Sequence, residues 1–188
     1  MPLTQEKAEE ILHRLMEKAK ANKEALGYHA SFPQAIVVIG PQMQIATLPG
    51  KWRTPQEKAD RMQAVAAAAR SEGALAVYLI NDCCYAPMEK VNNYYGFPKD
   101  LSWQEWERRW LEVKGDKFMH EMPRAIWEEA LLVTVKGPAL TPRTVTAKYR
   151  ESVADMICWM GEPEYDSPEL QTHCLILPDW WDVNVKVH

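Results

Sequence analysis

Apolar residues recur along this chain at spacings that sort it into helices and strands. Ala8, Ile11, Leu12, Leu15, Met16 and Ala19 fall at intervals of three and four. That period places them on one stripe of a helix over residues 4–26, which Gly27 is placed to end. Residues 35–39 form a short apolar run, Gly40-Pro41-Gln42 turns the chain, and residues 43–48 continue, which predicts a β-hairpin. Thr54-Pro55-Gln56-Glu57 reads as a helix start. Its hydroxyl caps, its proline suits the first helical position, and Glu57 is placed to complete a capping box. This helix runs to about Ser71 and stops at Gly73, and its alanine-rich centre, 64–69, suits close packing on a sheet. Residues 75–80 are apolar on both faces, as expected of a strand covered on two sides.

The second half is less regular. Residues 81–101, with Pro87, Gly96 and Pro98, read as a long loop; a loop of that length is either functional or wrongly assigned. Ser102-Trp103-Gln104-Glu105 is a second capping box, opening a helix to about Val113 that Gly115 ends or kinks. Residues 129–136 read as a strand, and Gly137, Pro138 and Pro142 mark a turn. Residues 144–149 alternate, with Val145, Ala147 and Tyr149 on one face. Residues 151–160 fit either a short helix or a continued strand. Glu162, Glu164, Asp166 and Glu169 lie in an acidic stretch that lacks the spacing of a calcium loop and reads as solvated. Residues 174–177 suggest a further strand, and the alternating Val183, Val185 and Val187 suggest a terminal edge strand. The order predicts an α/β or α+β fold: a single domain over residues 1–188 with one mixed β-sheet of about five to seven strands and helices packed against it.

Composition narrows the function. The chain has 188 residues, a formal net charge of −4, 47% hydrophobic and 26% charged residues, a globular balance and not a disordered one. A pI of about 5.8 and no basic stripe on any predicted helix argue against a nucleic-acid partner. No run of apolar residues is long enough for a membrane span, and the charged, amphipathic N-terminus does not read as a signal peptide, so a cytoplasmic location is expected. Cys83, Cys84, Cys158 and Cys174 form no C-x-x-C pair, so spacing supplies neither a zinc site nor a redox motif. No glycine-rich phosphate loop, H-E-x-x-H or G-x-S-x-G occurs, and no cofactor or metal is assigned.

One place could hold chemistry. If residues 43–48, 54–72 and 75–80 form a right-handed βαβ unit, the two following loops meet at one end of the sheet, where open α/β sheets bind ligands. One loop brings Lys51, Trp52, Arg53 and the helix start at Thr54; the other brings Asn81, Asp82, Cys83 and Cys84. A helix N-terminus beside two cations would attract a small anion and favour a thiolate nucleophile, with Asp82 alongside and His120 as a candidate base. The plainer readings are that the cysteines are small core residues, Lys51 and Arg53 solvated, and His120 a surface residue.

The other candidate is aromatic. Trp103, Trp106 and Trp110 share one helical face, preceded by Tyr94, Tyr95 and Phe97. They could form a stacking platform, a lid or a subunit contact, or simply dock the helix. Eight tryptophans against three phenylalanines is an unusual balance, and tryptophan is favoured at binding surfaces. Two functions follow. The favoured one is a non-catalytic protein that binds or self-associates through aromatic surfaces. The alternative is a small enzyme with a cysteine nucleophile, performing acyl or phosphoryl transfer on a small anion.

Overall fold

The first helix forms where the apolar stripe predicts it. In the computed structural model, which describes residues 3–30, 32, 34–40, 42–48, 54–117, 119–166 and 179–181, α1 spans Gln5–Leu26. The Thr4 hydroxyl caps it by accepting from the Lys7 amide, and Ala8, Leu12, Met16, Ala19 and Lys23 form its buried face. Gly27 ends it with φ +85, and a Cβ there would stand 2.6 Å from the Asp155 carboxylate. The backbone angle favours glycine, and a Cβ there would also have to push the Asp155 side chain aside.

The sheet comprises β1 (Gln34–Ile39), β2 (Met43–Leu48), β3 (Ala76–Tyr85), β4 (Glu128–Lys136), β5 (Arg143–Glu151), β6 (Ile157–Trp159) and β7 (Glu164–Tyr165). Its order is β2-β1-β3-β4-β5-β6, with β7 also on β5. Helix α2 (Pro55–Ser71) starts as expected, with the Thr54 hydroxyl accepting from the Glu57 amide; the Glu57 carboxylate reaches forward to Arg61. Helix α1 covers one face of the sheet, over Val37, Tyr78, Ile80, Leu131, Val133, Val135, Val145 and Ala147. The other face carries α2 and Trp180, over Ile36, Val77 and Leu79. Burial on both sides explains why β3 opens with an unbroken apolar run. The arrangement is an α+β fold on an antiparallel sheet.

Four expectations change. The sheet is antiparallel at every described pairing and not mixed, because β1 lies between β2 and β3. Strands β2 and β3 still point the same way, and α2 crosses over β1 to join them. The long loop expected at 81–101 is instead the second half of β3, then α3 (Met88–Tyr95), and a short link to α4 (Trp103–Lys114). The polar Asn81 and Asp82 end the apolar run, but β4 keeps pairing with β3 as far as Tyr85↔Glu128. Residues 151–160 hold both alternatives, a 3-10 turn at Val153–Asp155 and then β6. The acidic stretch is tied down as well as wetted: Glu164 pairs with Lys148 at 3.0 Å, and Asp166 pairs with Arg143 at 2.8 Å and accepts from the Thr144 amide at 2.9 Å. The strands expected at 174–177 and 183–187, and Glu169, lie outside the described residues.

Candidate functional site

Asp82, Cys83 and Cys84 sit inside β3, so their side chains alternate between the two faces of the sheet. Cys83 turns toward the α2 side, with Tyr85, Ala130 and Leu132. Burial pushes its thiol well above the ordinary value, Asp82 and Cys84 push it further, and Lys58 of α2 only partly opposes them. That is the reverse of an activated thiolate. Cys83 and Cys84 are free thiols on opposite faces of a regularly paired strand. Lys51 and Arg53, the expected cations, lie outside the described residues; Thr54 is the exposed cap of α2. His120 is exposed on the 3-10 turn Met119–Glu121.

Asp82 belongs to a different cluster, on the α1 side. The Lys23 side chain, 2% exposed, donates to the carbonyls of Tyr28 at 3.1 Å and Ala30 at 3.2 Å and meets Asp82 Oδ2 at 3.1 Å. An ammonium has three protons, and this one finds three acceptors. The Tyr149 hydroxyl donates to Asp82 Oδ1 at 2.5 Å, and the Lys23 ammonium lies 5.2 Å from the Tyr149 ring centre. Next to them the Tyr28 hydroxyl donates to Glu129, which Arg124 also approaches at 3.4 Å. Burial first, and then the Glu129 carboxylate, raise the Tyr28 phenol to about 12; burial and Asp82 raise that of Tyr149 far more. Each charge in this cluster is met by a partner inside the fold, as a buried polar network requires.

Sequence reasoning selected only Asp82 from this group. Lys23 carried one signal, since it continues the apolar stripe four residues after Ala19. Tyr149 was visible only as a member of an apolar face. Tyr28 and Glu129 carried no signal, because their meeting depends on how α1 lies across β4.

The aromatic candidates form a lobe of their own. Val91, Trp106, Trp110, Met122 and Ile126 are its core, with Phe97, Leu101 and Trp127 packed round it. Ser102 and Glu105 complete the expected capping box of α4. Trp106 donates from its ring nitrogen to Asn92 of α3 at 2.7 Å, and Trp127 donates to the Met122 carbonyl at 3.1 Å. The three tryptophans of α4 therefore do not share one environment. Trp106 and Trp110 are core, whereas Trp103, stacked on Trp106 with ring centres 5.3 Å apart, is 50% exposed. Leu111 on α4 and Tyr94 on α3 are 57% and 52% exposed. An open cleft of about 330 Å³ is lined by Phe97, Arg108, Arg109, Glu112 and Val113.

No helix among the described residues is long and apolar enough to cross a membrane, and no group of acidic, histidine or cysteine side chains among them could hold a metal ion. Fold and site define an α+β protein with a saturated polar cluster on one face of its sheet and a separate aromatic lobe. Comparison with known protein families, with characterised proteins and with solved structures finds no match to this chain.

Proposed function

We propose that this is a non-catalytic binding protein that self-associates through its aromatic lobe. The carrying observation is that Tyr94, Trp103 and Leu111 stand half-exposed on a lobe where Trp106 and Trp110 are buried and Trp106 and Trp127 are hydrogen-bonded. Trp103 is held by its stack on Trp106, so presenting it costs little rotamer entropy on binding. Aromatic anchors of this kind dominate the energetics of interfaces. The alternative, a cysteine nucleophile acting on a small anion, has less support: burial disfavours the Cys83 thiolate, and Asp82 is already committed to Lys23 and Tyr149. A reducing cytoplasm suits free thiols at Cys83, Cys84 and Cys158, and the net charge of −4 disfavours a nucleic-acid partner.

Sedimentation velocity over a range of protein concentrations tests the reading. The wild type should show reversible association, and the double variant W103A/L111A should shift it at least about tenfold towards monomer. A wild type that stays monomeric at every concentration overturns the proposal, as does a W103A/L111A variant that associates equally well.

A further inference from the structure

We propose that α4 is the contact helix of a two-fold dimer, packed antiparallel against α4 of a second copy about an axis passing between Glu107 and Arg108. The inference rests on the reading above and specifies its interface. With 3.6 residues per turn, Gln104, Glu107, Arg108 and Leu111 fall on one stripe of α4, turned away from the buried side that carries Trp106 and Trp110. All four are exposed. Spacings of three, one and three are those of a helix–helix seam.

The charges on that stripe select the occupant and the direction. Glu107 has no ion-pair or hydrogen-bond partner among the described residues, although it lies mid-helix beside Arg108. Arg108 holds Glu112 at 2.7 Å on its own helix, an exposed pair that engages only one edge of the guanidinium. Antiparallel packing about the proposed axis places Glu107 opposite the partner's Arg108, and Arg108 opposite the partner's Glu107. Gln104 then meets the partner's Leu111, and Trp103 closes each end of the seam beside that leucine. A parallel two-fold pairing would set Glu107 against the partner's Glu107 and Arg108 against the partner's Arg108. One self-complementary register therefore satisfies both charges and covers both exposed apolar residues of the helix. Because α4 has 12 residues, the seam is about 18 Å long and smaller than a standard stable interface. The dimer is accordingly expected to be reversible, with a Kd of about micromolar or weaker.

Charge exchange tests the register. Wild type, E107R, R108E and the double variant E107R/R108E are compared by sedimentation velocity, with far-ultraviolet circular dichroism as a check on folding. Each single variant sets like charges across the axis and should weaken association about tenfold or more; the double variant restores opposite charges and should recover to within about threefold of wild type. If the wild type associates and W103A/L111A weakens it, but the single charge variants do not, this register is wrong while the lobe remains the interface. If the wild type never associates, both readings fall together.

Discussion

Lys23 shows how a single residue can be decided by distant partners. A lysine in the last turn of a surface helix ordinarily reaches solvent and complements the helix dipole. Here it turns inward, and two carbonyls and the Asp82 carboxylate replace its water. Removing one member of a buried pair leaves the other charge uncompensated, at a cost of about 3 kcal/mol or more. Lys23→Met should therefore lower stability by about 3 kcal/mol in urea denaturation. Adding Asp82→Asn should recover part of that loss, since no unpaired carboxylate is then buried; a loss under about 1 kcal/mol for Lys23→Met would show that the pair contributes little.

At the scale of elements, the caps were legible and the faces only partly so. Thr4, Thr54 and Ser102 start their helices as the sequence indicates, because capping depends on residues within one turn of each other. Which tryptophans of α4 are core was not legible. All three fit the same helical spacing, and only the position of α3 and the turns near Met122 and Ile126 buries Trp106 and Trp110 while leaving Trp103 half-exposed. Strand β3 teaches the converse: a polar pair ended its apolar pattern without ending its pairing with β4. Ser102→Ala removes the hydroxyl that the Glu105 amide donates to and one of the two Ser102 donors to the Glu105 carboxylate, leaving the backbone amide. The expected loss is about 1 kcal/mol, seen as a lower thermal midpoint, and an unchanged midpoint would show that packing alone sets the start of α4.

Across the whole molecule, the hydroxyls tucked under α1 link stability to alkaline pH. Tyr78 donates to the Ala8 carbonyl at 3.0 Å, and Tyr28 and Tyr149 donate to carboxylates. Burial raises all three phenols, to about 12 for Tyr28 and further for Tyr78 and Tyr149. An acid whose folded value lies above its unfolded one loses its proton first from the unfolded chain. Its contribution is therefore complete below the unfolded value of about 10 and is lost as pH rises through the folded values. The thermal midpoint should fall above pH about 10, and the absorbance of these three tyrosinates should appear together with unfolding. Ionisation of every tyrosine near pH 10 in a still-folded protein would contradict this account of the face beneath α1.

What the sequence determined by itself was local: the starts of α1, α2 and α4, the β1–β2 hairpin, the covered first half of β3, and the alternation of β5. Each depends on neighbours a few positions apart, where periodicity, a capping hydroxyl or a turn residue decides the outcome. Tertiary structure alone decided that β1 enters between β2 and β3, that Asp82 faces Lys23 and not an anion, and that Trp103 remains outside. Those outcomes join residues far apart in the chain, such as Lys23, Asp82 and Tyr149, and no local pattern records which strand will lie beneath which helix.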